Sequence, residues 1–255
     1  MRRLTLLTDF GTADGYAAAM KGVVAAICPD AVLEDASHDI PPGDVLAAAW
    51  ALSRYWRLYP PGTVHVVVVD PGVGGERRAL AALADGRWLV APDNGVLTRV
   101  LDEAPSWTAV AIRERRFLRE PVSRTFHGRD VFAPAAAHLA AGVALAELGP
   151  PVTDPVRLPL PAFSITPAAV VGVVVHVDRF GNLVTNIPGS WALSGPIRVG
   201  ARDVGRLALS YSDVAPGEAL ALVGSAGVLE VSVRDGSAAA LLGAGRGAEV
   251  SVRRE

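Results

Sequence analysis

Short apolar runs alternate with helical periodicities along the amino-terminal three-fifths of the chain. Leu4 to Thr8, Ala31 to Asp35, Thr63 to Val69, Ala79 to Leu83, Trp88 to Ala91 and Trp107 to Ile112 read as strands. Tyr16 to Ile27 has helical periodicity and stops at Cys28-Pro29. Asp44 fits an N-cap for a helix from Val45 to about Tyr59, closed by Pro60-Pro61-Gly62. A short helix follows from Val96, and a longer one runs from Val131 to about Ala141. Strands alternating with helices predict a mostly parallel sheet with helices on its faces. Six prolines then fall between Gly149 and Pro167, which marks an extended linker. Beyond it the pattern is all-β, with strands expected at Ala169 to Asp178, Leu183 to Asn186, Arg206 to Tyr211, Ala219 to Val223, Val228 to Val233 and Glu249 to Val252. Short strands spaced by Gly and Asp suggest a small barrel or sandwich. The expected organisation is an α/β domain over 1–152, a Pro-rich linker over 153–167 and a smaller β domain over 168–255.

Composition narrows the function classes. The chain has 255 residues, 51% hydrophobic, with a net charge of −2, so charge favours neither nucleic acid nor an anionic membrane. Lys21 is the single lysine and Cys28 the single cysteine, which leaves no disulfide framework and no cysteine metal site. The five histidines lack paired metal-ligand spacing. Met1-Arg2-Arg3-Leu4 resembles the start of a signal peptide, but the apolar stretch behind it ends at Asp9. No apolar run approaches membrane-span length. The expectation is a reduced, soluble, cytoplasmic protein.

The loop Val69-Asp70-Pro71-Gly72-Val73-Gly74-Gly75-Glu76-Arg77-Arg78 is a candidate site. It follows a strand buried on both faces, so Asp70 stands at a carboxyl-terminal strand end, where open α/β sheets bind ligands. The glycines permit a tight turn and a close approach to a ligand, and Arg77 is near enough in sequence to return to Asp70. A β-hairpin turn that happens to carry charge fits the same local pattern. The loop is not a dinucleotide fingerprint, because Arg77 occupies the third glycine position. A phosphate-binding loop is excluded by the position of Lys21, and a Gly-x-Ser-x-Gly nucleophile elbow by Val223-Gly224-Ser225-Ala226-Gly227, which lacks the required spacing.

Five stretches together carry a resemblance: Thr8-Asp9-Phe10-Gly11, Val69 to Gly74, Pro92-Asp93-Asn94-Gly95, Thr125-Phe126-His127-Gly128-Arg129-Asp130 and Asp178-Arg179-Phe180-Gly181-Asn182. In order and over essentially the whole chain, they resemble the S-adenosyl-L-methionine (SAM) hydroxide adenosyltransferases, relatives of fluorinase and chlorinase. The resemblance implies an α/β domain followed by a β-barrel, a homotrimer with sites between subunits, and conversion of SAM and water to adenosine and L-methionine without metal or other cofactor. Halogenating members resemble Tyr-Pro where this chain has Asp70-Pro71, lack an arginine at Arg77, and carry Tyr at His127 and serine at Gly128. The pattern here is that of the water-using branch. A halide-using synthase and a nucleoside-binding module without turnover are the competing readings.

The sulfonium is already a good leaving group, so the enzyme's task is to place water behind C5′ in a dry pocket; placement contributes roughly 7–11 kcal/mol in the best cases. Arg77 stays protonated and orients the water, while His127 or Asp70 receives the proton. The bland alternative for Asp70 and Arg77 is a structural ion pair. For substrate, a carboxylate suits the ribose hydroxyls: Asp14 matches the fluorinase-like position, Asp9 the one some hydrolases use, and one of the two is expected to serve the helix start. Phe180 and Tyr211 match positions that sandwich adenine, Asn182 its polar edge, and Asp178 and Ser225 the methionine ammonium and carboxylate. Phe126 is either an adenine-facing aromatic or core. Glu230 and the Val233 backbone complete the barrel-side wall, and Asn94 is carried over with the substrate-binding group. Trp50, Trp56 and His138 read as core or subunit contact, and His38 has no assigned role.

Overall fold

The computed structural model describes residues 2–191 and 195–254 and divides into two compact units, Met1–Leu158 and Pro159–Glu255. The first unit is built on one six-stranded sheet. Its strands are β1 (Arg2–Thr8), β2 (Ala31–Ser37), β3 (Val64–Val68), β4 (Ala79–Ala84), β5 (Arg87–Pro92) and β6 (Trp107–Ala111), in the order β2-β1-β3-β5-β4-β6. β2, β1, β3 and β5 are parallel neighbours. β4 runs antiparallel to both β5 and β6, so the sheet is mixed. The cause is local: Asp85 and Gly86 both have positive φ, 48° and 73°, the backbone of a two-residue hairpin turn.

Every residue of β3 is buried, and its side chains alternate between two cores. Val64, Val66 and Val68 join Leu4, Leu6, Met20 and Phe132 on one face, which α1 (Tyr16–Ile27) and α4 (Ala133–Ala141) cover. Val67 and Val69 join Leu7, Leu52 and Trp56 on the other, beneath α2 (Val45–Tyr55) and α3 (Thr98–Glu103). Asp44 caps α2, accepting the backbone N–H of Ala47 at 3.0 Å. The helix ends at Tyr55, and Trp56–Leu58 form one tighter turn. Trp50 and Trp56 are core residues, at 3% and 0% exposure.

The first part of the Pro-rich stretch is tied to this unit. The N–H of Val156 donates to Asp93 and that of Leu158 to the Thr98 hydroxyl.

The second unit is an antiparallel sheet in the order β11-β10-β14-β8-β9-β13-β12. Its strands are β7 (Ser164–Ile165), β8 (Ala169–Val177), β9 (Leu183–Pro188), β10 (Ile197–Val199), β11 (Arg202–Gly205), β12 (Ala219–Val223), β13 (Val228–Val233) and β14 (Glu249–Arg253). β7 pairs with β8 off this path. A bridge from Leu207 to Ala221 links the chain after β11 to β12 and nearly closes the sheet into a barrel around Val170, Leu183, Ile187, Val231 and Val252. The expected strand over Arg206 to Tyr211 shrinks to that bridge. Asp213 accepts the N–H groups of Leu209 and Ser210, turning the chain into a helical turn at Tyr211–Asp213. β10, β11 and the short helix α5 (Ala238–Leu242), capped by Ser237, were not expected from the pattern. Among the described residues no helix is long and apolar enough to cross a membrane.

Candidate active site

β3 delivers the chain to Asp70, and the turn that follows is pinned at both ends. Before Asp70, the Asn94 side-chain amide donates to the carbonyl of Val69 at 2.9 Å. Beyond it, the N–H of Val73 donates to the carbonyl of Asp70 at 3.2 Å and that of Gly75 to Gly72 at 3.1 Å. Gly74 has φ +77°, and a Cβ there would stand 2.3 Å from the carbonyl oxygen of Arg124. The loop tip therefore presses its bare backbone onto the segment that leads into Phe126 and His127.

This path returns Arg77 to Asp70. Arg77 Nε lies 3.1 and 3.0 Å from the two carboxylate oxygens, and Nη2 also donates to Oδ2. The same Nη2 donates to His127 Nδ1 at 2.7 Å. The pair is sheltered, with side-chain exposures of 5% for Asp70 and 12% for Arg77, and the guanidinium lies 5.2 Å from the Phe132 ring centre. Arginine only donates, so His127 Nδ1 accepts and the neutral ring carries its proton on Nε2. Burial, and then the Arg77 charge, hold the His127 pKa below its ordinary value.

His127 itself opens a single π turn, Gly128–Phe132, ahead of α4. Asp130, fully buried in that turn, accepts from Arg129 at 2.7 and 2.8 Å, from Arg119 at 3.2 Å and from the Ser123 N–H at 2.8 Å. It thereby ties the 119–123 segment to the turn bearing His127.

A cavity of about 340 Å³ opens in front of this group, lined by Asp9, Phe10, Gly43, Val68, Asp70, Pro71, Val73, Thr125, Phe126, His127 and Gly128. Asp9 is held by the Gly43 N–H at 2.8 Å. Phe126 packs edge-on to Tyr16 and Phe10, with ring centres 5.1 and 5.9 Å away. A Cβ at Gly128 would lie 3.1 to 3.2 Å from Met20, Phe10 and Phe126, so the aromatic wall closes over a bare backbone. Asp14 is exposed and does not line this cavity; the residue at the start of α1 is Gly15.

The second unit has its own cavity, about 560 Å³, lined by Phe180, Asn182, Tyr211, Ser212, Val233, Arg234, Asp235 and Gly236. Asp178 stands behind it. One carboxylate oxygen accepts the N–H groups of Phe180 and Asn182, both at 2.9 Å, and the other accepts the Asn182 side-chain amide at 3.0 Å. The Tyr211 hydroxyl donates to buried Glu230 at 2.7 Å, and Ser232 donates to the same oxygen at 3.1 Å. Ser225 lies in the exposed turn between β12 and β13, outside the lining. Among the described residues no group of three or more His, Cys, Asp or Glu is placed to hold a metal ion.

Two family models match in the order of the two units. The SAM hydroxide adenosyltransferase N-terminal domain matches residues 4–149 and the corresponding C-terminal domain residues 172–251. The chain belongs to the SAM hydroxide adenosyltransferase family. It is 42% identical over 238 residues to a protein of Salinispora tropica named (R)-S-adenosyl-L-methionine hydrolase, covering 90% of this chain and 89% of that one. A fluorinase of Actinoplanes sp. is more distant, 31% identical over 211 residues, with 72% and 71% of the two chains covered. An uncharacterized conserved protein from Thermotoga maritima has the same fold, with a TM-score of 0.93 at 36% identity, covering 98% of this chain and all of the other.

Phe10, Thr125, Pro71 and Val73 in this family member's front cavity, and Ser212, Arg234 and Asp235 in its second cavity, were not singled out from sequence. Phe10 and Thr125 adjoin residues that were, within the same motifs. Asp235 has φ 55°, a turn geometry that the Asp-Gly pair signals.

Proposed function

We propose that this chain hydrolyses SAM to adenosine and L-methionine. The observation that carries the reading is the hydrogen-bonded Asp70–Arg77–His127 group, with Asp70 and His127 on the wall of the front cavity. A water oxygen attacks C5′ in line with the C5′–S bond. That bond breaks with its electron pair going to sulfur, and the attacking oxygen, briefly bearing two protons and a positive charge, releases one. Asp70 takes that proton. Asp70 lines the cavity, and its Oδ1 accepts a single bond from Arg77 and keeps a second lone pair, whereas the one lone pair of His127 Nδ1 is taken by Arg77. A carboxylate is basic enough, since an alkyloxonium is far more acidic than a carboxylic acid. His127, through Nε2–H, orients the water, and Arg77 holds both partners in register.

Asp9 is proposed for the ribose hydroxyls, since it lines the cavity while Asp14 does not. Phe180, Tyr211 and Asn182 are proposed for adenine, with Val233 and Glu230 beside them. Asp178 and Ser225 keep the methionine roles that the resemblance implies. Asp178 already accepts three hydrogen bonds, which also suits a supporting role beneath Asn182. The name of the Salinispora relative specifies the R sulfonium epimer, and we extend that preference to this chain. A homotrimer and a cytoplasmic setting belong to the same proposal; light scattering of the purified protein tests the first.

The test is chromatography of products after incubation with SAM in ¹⁸O-labelled water. Label in the adenosine 5′-hydroxyl together with free methionine is the expected result. With epimerised SAM, the R form disappears and the S form persists. A carboxylate facing the cavity repels a halide, so added chloride is expected to give no 5′-chloro-5′-deoxyadenosine. Chlorinated product would replace the reading by halide transfer, and SAM binding without methionine release would replace it by a binding module.

A further inference from the structure

The Asp70–Arg77–His127 group is a partition with a cavity on each side. Behind it lies a second space of about 220 Å³, lined by Glu76, Arg77, Arg78, Ala79, Ala111, Ile112, Arg113, Leu118, His127 and Val131. Asp70 lines only the front cavity and Arg77 only the rear one, while among the described residues His127 lines both. Glu76 and Arg113 are solvent-exposed, whereas Ala79, Ala111 and Ile112 are buried, so the rear space runs inward from bulk water.

The chemistry gives this geometry a task. SAM carries one more positive charge than adenosine and zwitterionic methionine together, so each turnover releases one proton. That proton appears on the front side, where Phe10, Phe126, Val68, Pro71 and Val73 make the walls largely apolar and substrate and products take up the space. The rear cavity offers the opposite surroundings. Its volume far exceeds the roughly 10–15 Å³ that one water requires. Glu76, Arg77, Arg78, Arg113 and His127 supply the polar partners such waters need.

Resting on the hydrolytic reading, we infer that the rear cavity holds a chain of water that carries the released proton, past His127, from the reaction centre to solvent. The O–C5′ bond forms and the C5′–S bond breaks at the front. The proton passes from the oxygen to Asp70, from Asp70 to water in the front cavity, and along water past His127, the residue common to both linings, into the rear cavity, leaving Asp70 a carboxylate for the next cycle.

Blocking the passage tests this. Arg113→Trp places a bulky apolar side chain at the exposed mouth, and Leu118→Trp fills the space from its half-buried side. Arg115→Trp, at a neighbouring exposed position outside the lining, is the control. Arg113→Trp is expected to lower kcat roughly tenfold or more, with KM for SAM within about twofold of the parent and a larger solvent deuterium isotope effect on kcat. Leu118→Trp is expected to do the same, and the control to match the parent. Parental kcat in both filled variants overturns the inference, as does a loss expressed mainly in KM. A parent protein that releases no methionine from epimerised SAM, which contains the R form, defeats the hydrolytic reading instead, so the two failures are distinguishable.

Discussion

Arg77 Nη2 donates to Nδ1 of His127 across 2.7 Å, joining residues fifty positions apart in the chain. The same guanidinium is bidentate on Asp70. Arginine's planar fork satisfies both partners at once; a lysine ammonium is a point charge that reproduces neither the fork nor the fixed angle. Arg77→Lys is therefore expected to keep the charge and lose the alignment, lowering kcat on the order of a hundredfold with a much smaller change in KM. Initial rates of adenosine release measure it. A Lys variant with near-parental kcat would reduce Arg77 to a neutralising charge.

Because His127 accepts from a cation, its protonated form is opposed twice, first by burial and then by Arg77. Activity should hold as pH falls through the ordinary histidine value of 6.5 and decline only below it, when the imidazolium loses its acceptor and repels Arg77. Histidine NMR titration gives the direct reading: His127 should titrate below 6.5 in the parent and higher in Arg77→Met, where the Arg77 charge is gone while Asp70 and Asp130 still favour the imidazolium. Titration of the parent at or above the ordinary value would contradict the hydrogen bond.

Gly74 separates two kinds of glycine. Its φ of +77° and the Arg124 carbonyl, 2.3 Å from where a Cβ would stand, leave Gly74→Ala nowhere to go. The loop must lift from the segment leading to His127, and activity is expected to fall at least about tenfold as the Asp70–Arg77–His127 geometry loosens. Gly200 has a similar φ of +54° but open space around it. Gly200→Ala should cost only the left-handed strain, about 1–2 kcal/mol, with activity kept. Paired assays of rate and urea denaturation check both; equal activity losses would mean that the Gly74 contact does not transmit to the site.

In the second unit, Asp178 organises the turn that presents Phe180 and Asn182. Its Oδ1 accepts two backbone N–H groups and its Oδ2 the Asn182 amide. Asp178→Asn retains the backbone acceptor but points one amide at another, freeing Asn182 to rotate. The expected effect is a rise of roughly tenfold in KM with kcat within about threefold, the signature of lost ground-state binding. Equal falls in kcat and kcat/KM would place Asp178 in the chemical step instead.

The legible part of the molecule was the part governed by local rules. The β3 run, the Asp44 cap and the Asp70 turn each follow from residues within a few positions, and they stand where the pattern put them. β10 and β11 escaped because three- and four-residue strands such as Ile197–Val199 and Arg202–Gly205 hold too few alternations to register. The reversal of β4 was readable in principle from Asp85-Gly86 but was overshadowed by the surrounding α/β rhythm. The partition between two cavities was not readable at all. It depends on the loop tip meeting Arg124 and on the π turn presenting His127, and neither leaves a periodicity in the sequence.

A last prediction concerns stability and a histidine remote from the chemistry. His65, on β3, is fully buried. Its Nε2 lies 3.1 Å from the Trp56 carbonyl, which only accepts, so Nε2 carries the proton and Nδ1 accepts from the Thr5 hydroxyl at 2.8 Å. Tyr55 and Tyr59 pack edge-on against the ring, each centre 5.5 Å away. Burial pushes the pKa down to about 4, against a smaller opposing effect of the Trp56 hydrogen bond, with the Arg87 charge adding to the fall. The unfolded chain takes up this proton near the ordinary value of 6.5 and the folded chain does not. Stability contributed by neutral His65 is thus complete above that value and declines as pH falls toward about 4, by up to about 3 kcal/mol. Most carboxylates stay ionised above roughly pH 5, so the window from 6.5 to 5 reports on the histidines, His127 and His138 included, and the comparison with a His65 variant isolates this one. His65→Asn should be less stable at neutral pH but show a flatter decline of urea midpoint across that window. Parallel slopes for parent and variant would show that His65 is charged, or already solvated, in the folded protein.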